Sequence, residues 1–271
     1  MLKLKKNVSR KKLPSVTIVG AGKVGYQLGK ILNANGFQIK EVFSRSISKA
    51  AKLARISECG FTTDLSMINT TSDLYIVAVK DDAIASVIEE LQKVLPAETL
   101  IVHTSGATPV EPLRKIFPRF GVFYPLQTFS TESTPDWSLA PICLDAASEA
   151  DLEFLKKIAG SFSRKLYFVN DEQRAVLHIA AVFANNFSNH LFHLSKMLLE
   201  EHNLSFDLLR PLILETAKKV QNHSPAEMQT GPAARGDQHT LRAHLEFLKT
   251  SPELSEIYRV LTESISRHIK S

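Results

Sequence analysis

The chain has 271 residues, 44% of them hydrophobic, and a formal net charge of +5. That length points to about two domains with a sizeable core, and no apolar run approaches the roughly 18 residues that span a membrane. Six positive residues (Lys3, Lys5, Lys6, Arg10, Lys11 and Lys12) precede the first predicted strand, so the rest of the chain is near neutral and lacks the basic excess of a nucleic-acid-binding body.

Residues 1–13 read as a basic, flexible leader, either simply solvated or docking on an acidic partner. No apolar h-region follows them, so they are not read as a secretory signal. The two cysteines, Cys59 and Cys143, lie far apart. They fit a reducing, cytoplasmic compartment rather than a disulfide framework, and no metal site is expected.

The apolar run Val16-Thr17-Ile18-Val19 predicts a first strand, followed by Gly20-Ala21-Gly22-Lys23-Val24-Gly25 and a helix over about 23–34. A glycine-rich turn between strand and helix suits a pyrophosphate. The first glycine permits the turn, the second lets phosphates approach the backbone, and the third lets the helix pack on the strand. The helix start then presents free N–H groups to the anion. A merely structural turn is the alternative, since six-residue patterns recur by chance.

The next strand, 38–43, ends at Ser44-Arg45-Ser46. NAD sites place an acid about there for the ribose hydroxyls. A guanidinium and two hydroxyls suit a 2′-phosphate instead, which favours NADP. Arg45 as a solvated charge and Ser46 as the cap of a helix over 47–56 stay open. Strand 74–79 ends in Ala78, Val79 and Lys80, with Asp81 or Asp82 placed to cap a helix over 83–94. Strand 100–102 ends in His103-Thr104-Ser105-Gly106, which is a further cofactor loop or only a tight polar turn. Shorter strands are expected over 120–123, 141–144 and 166–169, with an irregular piece over 124–140.

This alternation predicts an α/β fold: a doubly wound, Rossmann-like parallel sheet over 14–169, then an all-α domain over 170–271. Asn170 and Gln173 resemble a capping box. Beyond them, 175–199 reads as one long helix, apolar on nearly every side and so the buried centre of its domain. His178, Asn185, Asn186 and Asn189 interrupt it. At α-helical pitch, Asn185 and Asn189 lie about 20° either side of His178, and Asn186 about 80° away. Buried polar groups need partners, either structural ones or a substrate, and histidine is a natural proton donor near neutral pH. Further helices are expected over about 206–221, 235–248 and 253–269. Thr230-Gly231-Pro232-Ala233-Ala234-Arg235-Gly236-Asp237 forms a shaped loop in which Arg235 either clamps a substrate carboxylate or pairs with Asp237.

Four segments, Val102 to Ala107, Tyr124-Pro125-Leu126-Gln127-Thr128-Phe129, His178 to Phe187 and Thr230 to Asp237, together resemble one bacterial family. That family pairs a Rossmann-like domain with a helical domain of unknown function, and its members are described as NADP oxidoreductases by similarity to a deazaflavin-dependent NADP reductase group. Its helical half resembles 6-phosphogluconate dehydrogenase-like enzymes. The family often carries His-Pro-Leu-Gln where this chain has Tyr124-Pro125-Leu126-Gln127, so a hydroxyl stands in for an imidazole. The catalytic Lys of hydroxyacid dehydrogenases and ketopantoate reductase is missing between Asp171 and Ser195, and so is the Ser-Gly-Pro-Ala-Tyr-like segment of pyrroline-5-carboxylate reductases.

The expectation is therefore an NADP-dependent oxidoreductase acting on a small carbonyl or imine. The cofactor-binding residues would be Gly20, Ala21, Gly22, Lys23, Val24, Gly25, Ser44, Arg45, Ser46, Ala78, Val79, Lys80, His103, Ser105 and Gly106. His178, Asn186 and Ser105 would be catalytic, and Tyr124, Gln127, Asn185 and Arg235 would meet the substrate, with the nicotinamide in a cleft between the domains. The apolar helical domain would form a homodimer. A non-catalytic NADP(H) sensor or interaction protein is the alternative.

Overall fold

The computed structural model of the chain describes residues 13–269, so the leader expected over 1–13 lies outside the described residues except for Leu13. The described chain opens with β1 (Ser15–Val19), α1 (Lys23–Ala34), β2 (Gln38–Phe43), α2 (Ile47–Ser57) and the short β3 (Gly60–Thr62). It continues through β4 (Leu74–Val77), α3 (Ile84–Gln92), β5 (Ile101–His103), α4 (Glu111–Arg114) and β6 (Phe120–Pro125). With β7 (Ile142–Ala146), α5 (Glu149–Ala159) and β8 (Leu166–Phe168) it completes one eight-stranded sheet in the order β3-β2-β1-β4-β5-β6-β7-β8. β3, α4 and α5 are elements the sequence reading does not include.

Both faces of this sheet are covered, which is why its central strands are continuous apolar runs. Val16, Ile18, Leu74 and Ile76 pack on one side with Leu28 and Leu32 of α1. Val19, Tyr75, Val77 and Ile101 pack on the other with Ile84, Ile88 and Leu91 of α3. The strand order reverses at β1, whose neighbours are β2 and β4. A crevice at such a reversal, beyond the carboxyl ends of the strands, is where open α/β sheets bind ligands.

The sheet departs from the all-parallel expectation at one place: β7 runs antiparallel to β6. The residues between them, 126–141, contain no helix, and a connection without a crossover element returns the chain in the opposite direction. This irregular segment is pinned from α1. The buried Gln27 amide donates to the carbonyls of Ser130 at 2.5 Å and Ser133 at 2.8 Å. Within it the rings of Phe129 and Trp137 lie 5.4 Å apart, tilted by 34°.

The chain divides into two compact units between Asn185 and Asn186. α6 (Asp171–Ala181) therefore belongs with the sheet, whereas the sequence reading divides the chain before it. The long helix expected over 175–199 is present and runs without a break from α6 through a π-wound turn (Val182–Phe187) into α7 (Ser188–Glu201). It is not buried, however. Val176, Ile179, Phe183, Phe187, Phe192 and Met197 are all exposed, so burial among the described residues does not account for its apolar character.

The second unit also contains α8 (Arg210–Asn222), α9 (Pro232–Arg235), α10 (Gln238–Phe247) and α11 (Pro252–Ile269). Among its described residues the buried apolar side chains are Leu194, Ala233, Leu241 and Leu248. No helix among the described residues is long and apolar enough to cross a membrane.

Candidate functional site

Backbone sterics explain the glycine pattern at the end of β1. Gly20 sits at φ +115°, and a Cβ there would run into the backbone of Ala78. Its N–H donates to the Phe43 carbonyl at 2.8 Å, which ties the turn to β2. A Cβ on Gly25 would strike the Gly20 carbonyl, so this glycine lets α1 close on the strand. Gly22, by contrast, is exposed, with Ala78 O the nearest atom to a built Cβ at 4.0 Å. It occupies the N-cap position of α1 and no side chain caps the helix. The first-turn N–H groups are therefore left for a ligand, and no acidic residue stands in that turn to repel an anion.

A cavity of about 490 Å³ opens beside this turn. Gly20, Ala21, Gly22, Ser44, Arg45, Ser46, Ala78, Val79 and Lys80 line it, so nine of the expected cofactor residues converge there. Lys23, Val24 and Gly25 do not: Lys23 is exposed, Val24 packs on the core and Gly25 is buried in the turn. Leu65 and Val87 give the cavity an apolar wall.

At the end of β2, Ser44 accepts from the Ser46 N–H at 3.3 Å, while Arg45 is exposed. Ser46 does stand at the N-cap of α2, but its hydroxyl pairs with that of Ser48 at 3.1 Å and caps nothing. The expected aspartate cap near 83 is likewise not formed. Asp81 and Asp82 lie within a short 3₁₀ turn, and α3 starts without a side-chain cap. Lys49 also lines the cavity and is missing from the sequence reading. Its signal is its spacing, one helical turn beyond Ser46, which brings a second cation to the same mouth.

The loop after β5 is organised from within. The Ser105 hydroxyl accepts from the N–H groups of Ala107 (3.1 Å) and Thr108 (2.8 Å) and donates to Thr108 Oγ1. His103 is fully buried, and its Nδ1 accepts from the Ser105 N–H at 3.2 Å. Burial, reinforced by the Arg174 charge, pushes His103 down to about 4, against weaker upward pulls from Asp171 and the Pro109 carbonyl. Its side chain shapes the loop rather than facing the cavity.

Along this loop, α6 is fastened at successive turns. Its capping box forms as predicted, with Gln173 N donating to Asn170 Oδ1 at 2.9 Å. The Asp171 carboxylate accepts from the Val110 N–H at 3.0 Å. Arg174, 1% exposed, donates to the Thr108 carbonyl and to Asp171, both at 2.6 Å. One turn on, His178 packs on Gly106, and its Nδ1 lies 3.3 Å from the Tyr124 hydroxyl. So 171, 174 and 178 on the helix meet 110, 108 and 106 on the loop, a correspondence that follows from i, i+3 and i+7 sharing one helix face.

Gly106, Tyr124 and His178 thus come together, while the Ser105 hydroxyl is taken up within its own loop. Gln127 does not join them: it is exposed, and its side chain accepts from the Thr128 N–H. Asn185, Asn186 and Asn189 are exposed, which corrects the expected buried polar strip. Phe183, Ala184 and Phe187 around them are exposed as well, so the exposure belongs to the whole stretch, while the π-wound turn alters only the angular spacing. In the second unit, Arg235 is exposed, and Asp237 is taken up by Thr240, whose N–H and hydroxyl it binds at 3.0 and 2.7 Å. Asp237 is therefore a helix cap rather than the partner of Arg235. Arg174, absent from the sequence reading, had one visible signal: it stands a helical turn before His178.

The glycine turn, the strand order and the cavity define a Rossmann-like nucleotide-binding sheet followed by a helical unit. The chain belongs to the family that joins a Rossmann-like domain, matched over residues 4–126, to a domain of unknown function (DUF2520), matched over residues 140–265. It is 40% identical to a putative NADP oxidoreductase from Bacteroides fragilis, with 94% of this chain and 99% of that one covered at a TM-score of 0.90. A Thermotoga maritima protein is 24% identical, with 94% and 100% covered and a TM-score of 0.78. An imine reductase from Myxococcus stipitatus, solved with NADP+, is 18% identical and shares the fold, with 95% and 93% covered at a TM-score of 0.60. No match is found among curated proteins.

Proposed function

We propose that this protein is an NADP-dependent oxidoreductase that acts on a small carbonyl or imine. The observation that carries the reading is the cavity at the glycine turn, to which the end of β2 and the start of α2 contribute Ser44, Arg45, Ser46 and Lys49 and no acid, the carboxylates in its lining being Glu89 and Glu90 of α3. The name of the Bacteroides fragilis relative supports it, and so does the NADP+ bound to the imine reductase of the same fold.

In this reading the α1 N-terminus and Ala21–Gly22 hold the pyrophosphate, and Arg45 and Lys49 hold the 2′-phosphate. Bound NADPH supplies a hydride. His178 supplies the proton, since its ring stands against Gly106 of the loop after β5 and Tyr124 of β6. Asn186 and Arg235 retain their sequence-based roles of orienting the substrate and holding an acidic group. The exposed Leu208, Leu212, Phe247 and Val260 support a homodimer through the helical unit.

A fluorescence titration with NADPH, followed by a metabolite screen reading NADPH absorbance, tests the reading. Binding with turnover that disappears in His178→Ala supports it. Binding without turnover of any metabolite favours an NADP(H) sensor, and no binding rejects both. Light scattering checks the dimer: a monomeric mass removes it.

A further inference from the structure

Tyr124 and His178 come from distant parts of the chain, and each is held independently. Tyr124 is fixed by the β6–β7 ladder, opposite Cys143, and His178 by the Asp171 and Arg174 tethers of α6. Their rings meet edge-on, with centroids 6.2 Å apart at 65°. Gly106 makes the meeting possible. A Cβ there would lie 2.6 Å from Tyr124 Cζ, 2.8 Å from its hydroxyl and 2.7 Å from His178 Nδ1. Any side chain at 106 would drive the two rings apart.

We propose that Tyr124 is the positioning residue of His178: its hydroxyl donates to Nδ1 and holds the neutral imidazole as the Nε2–H tautomer. The opposite polarity would leave the half-buried phenol proton without an acceptor among the described residues, where Nδ1 is the partner of this hydroxyl. Burial, together with Cys143 and Asp81 and against the pull of Arg174, pushes the phenol up to about 12, so it remains a donor throughout the neutral range. With Nδ1 occupied, Nε2 is the ring nitrogen that carries a proton to transfer. That last role rests on the function proposed above; the tautomer does not.

The test is multi-bond ¹H–¹⁵N correlation NMR on the full chain with ¹⁵N-labelled histidine, at a pH where the ring is neutral. His178→Gln identifies the resonances. The wild type is expected to show a single Nε2–H tautomer, and Tyr124→Phe a mixture with a substantial Nδ1–H fraction. Gly106→Ala, which separates the rings, should give the same mixture. An Nδ1–H tautomer in the wild type, or an unchanged tautomer in Tyr124→Phe, overturns the proposal. Tyr124→Phe and Gly106→Ala break the same contact by independent routes, so a poorly folded one does not leave the question open. A wild-type Nε2–H tautomer lost in Tyr124→Phe, beside full turnover in His178→Ala, would keep the positioning role while removing His178 from catalysis.

Discussion

The Arg174 guanidinium donates to the carbonyl of Thr108 at 2.6 Å, across 66 residues of chain. This bond, with the Asp171 contact to the Val110 N–H, draws α6 onto the sheet unit and sets where His178 stands. It has a cost, because Arg174 Nε and Nη1 are buried and have no hydrogen-bond partner among the described residues.

That balance makes a graded prediction. Arg174→Ala leaves the Thr108 carbonyl unpaired and opens a void, so it should destabilise the protein by about 3 kcal/mol. Arg174→Met keeps the stem volume and removes the two unpaired nitrogens, so it should cost distinctly less, about 1 kcal/mol. Denaturant midpoints measure both. Hydrogen exchange at the Val110 amide should rise in both variants, because the loop loses part of its anchor. Equal stability of Arg174→Ala and wild type would mean that the clasp holds nothing.

This clasp also shows where the sequence stops being informative. The core strands, α1 and the capping box at Asn170 were legible because local signals coincide there: apolar runs, a glycine turn, and an Asn three residues before a Gln. The nine cavity residues were legible because strand ends in an open α/β sheet share one edge. Arg174 was not, because its spacing to Asp171 and His178 marks only a shared helix face, and the Thr108 carbonyl that it binds when buried lies 66 residues earlier. The Tyr124–His178 contact was hidden for the same reason. The expected burial of 175–199 failed differently: apolar composition measures how much surface needs cover and does not say whether the same chain supplies it. The antiparallel β7 depended on a connection without a crossover helix, which a strand-by-strand reading does not follow.

Cofactor choice gives a second prediction. Arg45 and Lys49 both line the mouth of the cavity and are exposed there, free to meet a phosphate. Charge-assisted hydrogen bonds contribute about 1.5–3 kcal/mol each, so Arg45→Glu should weaken NADPH by roughly 10–100-fold and NADH little. Lys49→Glu should act in the same direction, and the double variant should reverse the preference. Paired fluorescence titrations with NADPH and NADH decide it. Losses of equal size for the two cofactors would place the 2′-phosphate elsewhere.

His103 yields a pH dependence of stability. Buried beneath the β5 loop and beside Arg174, it is held down to about 4, against 6.5 for an ordinary histidine. Between those values the unfolded chain binds a proton that the folded chain refuses, so stability rises with pH across that window. The full contribution is present above about pH 6.5 and is lost as pH falls towards 4, a change of about 3 kcal/mol. The groups facing the ring are Arg174 and Asp171 of α6 and the carbonyl of Pro109. Because Asp171 pulls the other way, Asp171→Asn should lower the histidine further and steepen the loss. His103→Asn keeps an acceptor for the Ser105 N–H but cannot titrate. Its unfolding free energy should therefore change less than that of the wild type between pH 6.5 and 4, by about 3 kcal/mol, in urea titrations at each pH. Parallel curves for the two proteins would show that His103 is already neutral-equivalent in the unfolded chain or protonated in the folded one, and either would remove its role as the buried, uncharged organiser of the loop.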